Sequence, residues 1–226
     1  MKIMGNNMIK FENVSKNYVV GNHTIYALRE IKLEIREGDF ICIVGPSGSG
    51  KTTLLNIIGC LDTPTSGKHL LRGIDVTKMS DHELSILRNR AIGFVFQRFH
   101  LLPYSVLYNM SLPLIYSHKS KNELSERINK TMKMLKLENF LHKKTGELSA
   151  GEQQRIALAR AIVNNPDLIC ADEPTGNLDE ESAFEIANLL KRLNKSGKTI
   201  VLVTHNPEIA KFAQTTYVLK GGILKH

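Results

Sequence analysis

The segment that most constrains this chain runs from Gly45 to Thr52 and reads GPSGSGKT. It matches the phosphate-binding pattern GxxxxGK[ST] without a gap. The apolar run FICIVG precedes it and predicts a buried strand, and residues 51–60 predict a helix. Glycines in such a loop let backbone N–H groups crowd around a phosphate, and the helix start adds positive potential. The motif therefore predicts a nucleotide site in an α/β domain.

Each residue type in this loop fits the chemistry of a nucleoside triphosphate. Lys51 can reach the β- and γ-phosphates, and the Thr52 hydroxyl is a ligand for Mg²⁺. The other loop residues contribute backbone N–H groups and small side chains. The further candidates for nucleotide contact are Gly45, Pro46, Ser47, Gly48, Ser49, Gly50 and Thr53.

Strands and helices alternate along most of the sequence. LICAD and TIVLV are apolar throughout, as strands covered on both faces are, whereas IKLEI alternates like a half-exposed strand. HLLRGIDV predicts one further strand, and YVLKGGILKH predicts a terminal hairpin. From about Arg98 to Ala161 the pattern is mostly helical. The chain is therefore expected to form a largely parallel, helix-covered sheet with a helical insertion.

A phosphate-binding loop alone is compatible with a kinase, a GTPase, or a motor or transporter ATPase. A second element of the metal site, which is acidic, narrows these reactions. Asp172 lies at the carboxyl end of the apolar strand LICAD, where open α/β sheets place their ligand site. It is a candidate Mg²⁺ ligand. Glu173 follows it and is the natural general base for a water that attacks the γ-phosphate. The alternative is that Glu173 has only a structural role as an acid at a helix start. However, two acids at the end of a buried strand carry a high desolvation cost without a cation.

Two more polar residues end apolar strands. His205 follows TIVLVT, and Gln97 ends AIGFVFQ. A lone histidine is more often structural, but this position favours a role in orienting the water or contacting the γ-phosphate. A glutamine at a strand end can ligate Mg²⁺ and position water. Because Gln97 also leads into the helical insertion, it could link the nucleotide to that insertion.

Charge and composition indicate the classes of partner and the cellular compartment. Thirty Lys and Arg residues against 22 Asp and Glu residues give a formal net charge of +8, which suits nucleotides, nucleic acid or an acidic membrane surface. Cys42, Cys60 and Cys170 lie in apolar runs and are expected to be buried thiols in a reducing compartment. No apolar stretch approaches the ~18–20 residues of a membrane span. A cytoplasmic location is expected, with membrane contact only through a partner.

The stretch ELSAGEQQR, residues 147–155, predicts a second helix start suited to an anion. Together with GPSGSGKT, FVFQ, LICADEPTGNLD and VTH, in that order, it resembles the nucleotide-binding subunits of ABC transporters over essentially the whole chain. IGCLDTPTSG and ADEPTGNLD are similar to the branch that contains lipoprotein-releasing, macrolide-export and antimicrobial-peptide-resistance ATPases.

The resemblance implies an architecture. The chain would be a single P-loop ATPase domain spanning residues 1–226, with a mostly parallel core sheet and an N-terminal antiparallel β-subdomain. The core and β-subdomain would comprise residues 1–97 and 162–226. Residues 98–161 would form a helical subdomain that carries the LSAGE signature.

The resemblance also implies residue roles. Tyr18 would stack on adenine, Gln97 would be the Q-loop residue, Glu173 the catalytic base and His205 the switch histidine. Two copies would dimerise head to tail around two ATP, each with Mg²⁺. Ser149 and Gly151 of one copy would contact the γ-phosphate bound by the other, and Asp179 would lie in the loop that crosses between copies.

The sequence departs from the usual LSGGQ at Ala150 and Glu152. Alanine is tolerated where the backbone is helical. Glutamate in a first helical turn is stabilised by the dipole, yet it would repel a triphosphate that it faced. The expectation is a competent signature with weaker ATP-driven dimerisation.

The leading hypothesis is therefore an ATP-hydrolysing subunit that drives a separate membrane permease at the inner face of the cell membrane. Export of a lipophilic compound, peptide or lipoprotein is favoured. One alternative is a non-transport ATPase that regulates a membrane-bound cell-wall or sensor system. Another is an ATPase acting on nucleic acid, which the charge permits. No nucleic acid is expected as a partner, because the fused domains or long coiled coils that the resemblance associates with that class are missing.

Overall fold

The computed structural model describes residues 7–226, which form two β-sheets surrounded by helices. The strands are β1 (Asn7–Val20), β2 (His23–Arg36), β3 (Phe40–Val44), β4 (Ser66–Leu71), β5 (Ile74–Asp75), β6 (Ile92–Phe96), β7 (Leu168–Asp172), β8 (Thr199–Val203), β9 (Thr215–Lys220) and β10 (Ile223–Lys225). The helices are α1 (Lys51–Ile58), α2 (Asp81–Ala91), α3 (Val106–Tyr116), α4 (Lys121–Leu135), α5 (Ala150–Ile162), α6 (Glu180–Lys195) and α7 (Pro207–Ala210).

The larger sheet has the order β10-β9-β3-β8-β7-β6, and all its pairings are parallel except that of β10 with β9. The central strands β3, β7 and β8 are apolar and buried on both faces because helices or the second sheet cover each face. In β3, Phe40 and Cys42 pack into one hydrophobic core, and Ile41 and Ile43 pack into the other. This sheet confirms the largely parallel, helix-covered architecture.

The smaller sheet is antiparallel, with the order β2-β1-β4-β5. Its apolar side chains, such as Ile9 and Phe11, share a core with α1. The expectation of one strand over HLLRGIDV is wrong: Arg72 and Gly73 both have positive φ angles and reverse the chain between β4 and β5. Positive φ in two successive residues is the geometry of a tight hairpin turn.

Helices α3, α4 and α5 occupy the region expected to be helical, but α3 begins only at Val106, after the Ser105 cap. The capping boxes of Ser80 with Glu83 and of Ser120 with Glu123 are both present at the starts of α2 and α4. Each serine side chain accepts from the third helical N–H, which satisfies a donor that the helix itself leaves free.

Cys42, Cys60 and Cys170 are buried free thiols, as the sequence predicts. Burial raises the pKa of both Cys42 and Cys60 to about 12. Across residues 7–226, every helix is too short or too polar to cross a bilayer.

Candidate nucleotide-binding site

The ends of four parallel strands bring the candidate residues to one edge of the larger sheet. The phosphate loop follows β3, Gln97 follows β6, Asp172 ends β7, and His205 follows β8. Carboxyl ends of parallel strands meet at one edge, where open α/β sheets bind ligands. A cavity of about 510 Å³ opens there. It is lined by Tyr18, Ile25, Tyr26, Ala27, Ser47, Gly48, Gly50, Lys51, Thr52, Thr53, Gln97, Asp172, Glu173, Val203 and His205.

The loop between β3 and α1 presents backbone N–H groups to an anion. Gly50 precedes α1 with φ 101°, and no side chain caps the first turn of this helix. A side chain at Gly50 would collide with the carbonyl of Ala27 on β2, so glycine is required both for φ and for space. The Lys51 ammonium donates to the carbonyl oxygens of Gly45 at 2.9 Å and Pro46 at 3.0 Å. The lysine therefore lies along the loop that a phosphate would occupy.

Asp172 has the features of a cation ligand. Its Oδ1 atom is buried and has no hydrogen-bond partner. Burial raises the pKa of this carboxyl, the Thr52 hydroxyl and Lys51 oppose that shift, and the charge of Glu173 adds to it. The Thr52 hydroxyl and the Gln97 amide line the same cavity. Oxygen donors of this kind fit Mg²⁺.

The protein supplies only part of a coordination shell. Within residues 7–226 there is no cluster of three or more His, Cys, Asp or Glu side chains that could hold a metal. Mg²⁺ commonly takes one or two protein carboxylates and completes its shell with water and substrate phosphates. The residues around Asp172 fit a cation that arrives with a nucleotide.

Glu173 and His205 are in direct contact. The Nδ1 atom of His205 lies 2.9 Å from Oε1 of Glu173, and the His205 backbone N–H donates to Oε2 at 3.3 Å. Glu173 has φ 46°, a left-handed conformation, and its N–H donates to the Val203 carbonyl at 2.9 Å. This conformation costs about 1–2 kcal/mol for a residue with a side chain. Such strain clusters at functional sites, where surrounding contacts hold it.

Gln97 is held by the loop that follows Glu173. Its side chain donates to Oδ1 of Asn177 at 3.4 Å, and the Asn177 amide donates to the Gln97 carbonyl at 3.0 Å. Gly176 makes room, because a Cβ there would lie 2.7 Å from Nε2 of Gln97. The buried Gln154 on α5 donates to the carbonyl oxygens of Phe96 at 3.2 Å and Pro174 at 2.6 Å. Sequence reasoning missed Asn177 and Gln154, and no local pattern distinguishes them.

Tyr18 lies near the end of β1 and lines the cavity with the phosphate loop. Its ring is partly exposed, and its hydroxyl donates to Oδ2 of Asp62 at 2.8 Å. Ile25 and Tyr26 of β2 pair with Tyr18 and Asn17 and join the same wall. These β2 residues were missed because the alternating pattern that predicts this strand covers only IKLEI, residues 31–35. Their contribution depends on the register of the β1–β2 pair.

Ser149, Gly151 and Asp179 are not among the residues that line this cavity. Ser149 caps α5, and Asp179 caps α6 by accepting from the Ser182 N–H at 2.9 Å. The two helix starts adjoin, since a Cβ at Gly151 would lie 2.7 Å from the Ser182 hydroxyl oxygen. Gly45, Pro46 and Ser49 form part of the phosphate loop itself without lining the cavity wall.

Comparisons with known proteins agree with this geometry. A family model of the ABC transporter matches residues 28–176. The ABC transporter ATP-binding protein MJ0796 of Methanocaldococcus jannaschii is 47% identical over 221 residues, which cover 95% of this chain and 94% of that protein. The macrolide export ATP-binding/permease protein MacB of Bdellovibrio bacteriovorus is 44% identical over 96% of this chain and 33% of its own length. These relatives confirm the resemblance to the macrolide-export branch.

A solved structure gives the same fold. The dimeric, post-hydrolysis state of MJ0796 bound to ADP and Pi superimposes with a TM-score of 0.89, at 46% identity and over 97% of both chains. The expected P-loop fold, with an antiparallel β-subdomain beside a largely parallel sheet, is confirmed. The chain therefore belongs to the ABC transporter family and is one of its ATP-hydrolysing cassettes.

Proposed function

We propose that this cassette is the motor subunit of a membrane exporter, and that two copies close around two ATP to drive a separate permease. The observation that carries the proposal is the meeting of Lys51, Thr52, Asp172, Glu173 and His205 around one cavity. A phosphate cradle, a cation ligand and a base beside the expected γ-phosphate are the parts that ATP hydrolysis requires.

In this proposal the loop from Gly45 to Thr53 binds the triphosphate through backbone N–H groups and the Lys51 ammonium. Asp172, Thr52 and Gln97 would hold Mg²⁺, and the unpartnered Oδ1 of Asp172 supports that assignment. The cation would supply charge neutralisation to the β- and γ-phosphates. Tyr18 would stack on the adenine.

Glu173 acts as the general base. Its carboxylate accepts a proton from a water molecule while the water oxygen bonds to the γ-phosphorus, and the bond from phosphorus to the bridging oxygen of ADP breaks. His205 contacts Oε1 of Glu173 at 2.9 Å and is itself mostly exposed to the cavity. In this proposal it orients the carboxylate, and its second ring nitrogen would be available to the γ-phosphate in the same cavity.

The dimer completes each site. Ser149 and Gly151 lie at the start of α5 and do not line the cavity of their own chain. In this proposal they contact the γ-phosphate bound by a second copy, next to Asp179, which caps the start of α6. The solved dimer of MJ0796 supports a two-copy assembly. ATP then favours the closed dimer because it contacts both copies, and hydrolysis weakens that contact.

A second cavity supports the permease as partner. This groove of about 720 Å³ lies between α2, β6 and the α3–α5 region, and we call it the docking groove. Its lining includes the exposed apolar side chains Leu61, Ile86 and Tyr116 together with Phe94. A large exposed apolar groove that is also lined by an exposed basic residue, here Arg90, fits a protein segment with apolar and acidic side chains.

The docking groove adjoins the nucleotide cavity through one strand. Phe94 and Phe96 of β6 line the groove, and Gln97 directly after them lines the nucleotide cavity. Arg160 of α5 donates to the carbonyl oxygens of Phe99 and His100 and so anchors the segment after Gln97. We assign residues 98–161 to a helical subdomain of the single ATPase domain. In this proposal the segment after Gln97 transmits nucleotide binding to that subdomain, which then moves relative to the core.

A co-purification experiment tests the partner. The tagged Glu173→Gln chain is isolated from detergent-solubilised membranes with ATP present, and co-purifying proteins are identified by mass spectrometry. A stoichiometric multi-span protein supports the motor-subunit role and a location at the inner face of the membrane. An extracytoplasmic regulatory architecture in that protein would favour the non-transport alternative. Recovery of ribosomes or DNA in its place would contradict the proposal.

Matched variants test the groove. Ile86→Glu and Tyr116→Asp place charges in the docking groove and should abolish co-purification while leaving the basal ATPase activity of the isolated cassette intact. Ile74→Glu is the control, because Ile74 is equally an exposed apolar side chain but lies on β5 of the other sheet. Retention of the partner by both groove variants would show that it binds elsewhere.

A further inference from the structure

Tyr18 belongs to a cluster that joins the end of β1 to the turn after α1. The carboxylate of Asp62, in the turn after α1, accepts from the Tyr18 hydroxyl at 2.8 Å and from the Lys16 ammonium at 2.6 Å. Tyr18 and Thr53 of α1 line the same cavity. One carboxylate therefore ties the end of β1 to the helix that carries the phosphate loop.

The cluster is shielded enough to hold its geometry. The side chains of Lys16 and Asp62 are 13% and 27% exposed, whereas surface ion pairs that contribute little are largely solvated. Lys16 also donates to the Thr63 carbonyl at 2.8 Å, and the Thr63 N–H donates to Oδ1 of Asp62 at 2.7 Å. These contacts lock the turn after α1 against β1.

The Lys16 ammonium lies over the Tyr18 ring, 5.0 Å from its centroid. It covers one ring face, so a base can stack only on the other. Two aromatic faces repel each other because both carry negative quadrupole potential. A cation behind the Tyr18 ring offsets part of its negative potential and so reduces the repulsion between this ring and a stacked base.

We infer that Lys16 and Asp62 are positioning residues that orient and polarise Tyr18 as the platform for the nucleobase. The inference rests on the proposed function, in which Tyr18 stacks on adenine. Without the cluster, the tyrosine at this partly exposed strand end would sample other rotamers, and a base would have to order it on binding. Lys16 and Asp62 therefore contribute to nucleotide affinity without touching the nucleotide.

The test separates the base from the phosphates. Calorimetry measures the affinity of the full chain for ADP and for inorganic pyrophosphate, which lacks the base and ribose. Lys16→Met removes the ammonium but keeps an unbranched stem, and Asp62→Asn keeps the shape of the carboxylate. Each should weaken ADP binding by about three- to tenfold, as loss of a cation–π contact or a hydrogen bond predicts. Pyrophosphate binding should stay within about twofold, and Lys16→Arg should retain most of the ADP affinity.

A double-mutant cycle asks whether the effect passes through Tyr18. In a Tyr18→Ala background, Asp62→Asn should cause no further loss of ADP affinity. Lys10→Met is the control, since Lys10 lies on the same strand and pairs with Glu12 at 3.0 Å, away from the cavity. It should leave both affinities unchanged.

Three outcomes would overturn the inference, and they differ in what they say of the proposed function. Equal losses of ADP and pyrophosphate affinity would mean that the cluster only supports the fold. Unchanged ADP affinity in Lys16→Met and Asp62→Asn, with a loss in Tyr18→Ala, would remove the positioning role but keep the base platform. Unchanged ADP affinity in Tyr18→Ala would remove the base platform itself.

Discussion

The imidazole of His205 lies 2.9 Å from the carboxylate of Glu173, although 32 residues separate them in the chain. Parallel pairing of β7 with β8 places the two strand ends side by side. Glu173 is anchored by its own N–H to Val203, the last residue of β8. The contact therefore belongs to the sheet edge and does not depend on a flexible loop.

Glu173→Gln should still bind ATP and Mg²⁺ but lose turnover by on the order of 10²–10⁴-fold, because the amide cannot accept the proton of the attacking water. His205→Ala should lower kcat by about 10²-fold, and the double variant should be no slower than Glu173→Gln, since the two residues act as a unit. Phosphate release at saturating ATP measures all three. Near-normal turnover in Glu173→Gln would exclude it as the base.

Asp172→Asn should raise the thermal midpoint of the nucleotide-free chain while impairing the enzyme. Burial raises the pKa of Asp172, so the folded state holds a proton more tightly than the unfolded state does. Asp172 therefore contributes in full to the free energy of unfolding only below the usual aspartate pKa. This contribution falls as the pH rises through the raised pKa of the folded state, and it is absent at neutral pH. A neutral amide removes this penalty.

The same variant should need at least about tenfold more Mg²⁺ for half-maximal turnover, if Asp172 is a ligand. Thermal unfolding without nucleotide and a magnesium titration of the ATPase rate measure the two effects. Asp167→Asn is a control for removing a half-buried aspartate, which pairs with Arg72 at 2.8 Å, just before the other end of β7. A lower thermal midpoint with an unchanged magnesium requirement would contradict the assignment.

Glu152→Gln should strengthen ATP-driven dimerisation. The Glu152 carboxylate turns back and accepts from the Ser149 N–H at 2.8 Å, and this bond lowers the pKa of Glu152. A full negative charge thus lies beside the residue proposed to contact the partner's γ-phosphate. Glutamine can keep the capping bond without the charge.

Size-exclusion chromatography in a Glu173→Gln background measures this effect as the ATP concentration at half dimerisation. It should fall by about threefold, the size expected for one partly screened charge. Glu126→Gln, an exposed charge of α4, should change nothing. Equal dimerisation of the parent and Glu152→Gln would exclude the repulsion.

The buried His69 should make the fold sensitive to acid. It is 1% exposed, packs edge-on against Phe11 and has no partner for Nε2. Burial lowers the pKa of His69 to about 4 from its ordinary value of 6.5. Between these values the unfolded state binds more protons than the folded state, so stability is present above pH 6.5 and is lost as the pH falls toward 4.

The free energy of unfolding should fall between pH 7.5 and pH 5 by about 2 kcal/mol more in the parent chain than in His69→Leu, which has no titrating group at this position. Urea unfolding at the two pH values measures the difference. His82→Gln, at an exposed histidine of α2, should behave like the parent. An equal pH dependence in His69→Leu and the parent would contradict the burial argument.

Some of the site followed from local sequence and some did not. The phosphate loop, Asp172, Glu173, Gln97 and His205 were predicted because each directly follows or ends an apolar strand. The β2 wall of the cavity was missed because no local signal reveals which strand lies beside β1. Asn177 was missed because no local pattern reveals its contact with Gln97, which spans 80 residues.

The sequence by itself determined most of the elements and the chemistry at their ends, because the hydrophobic period, capping residues and glycine φ angles act over a few residues. The tertiary structure decided the strand order β10-β9-β3-β8-β7-β6 and with it which strand ends meet. It also placed Asp62 between Lys16 and Tyr18. Such contacts depend on packing two cores against one sheet, and the free energy of that packing is a property of the whole chain.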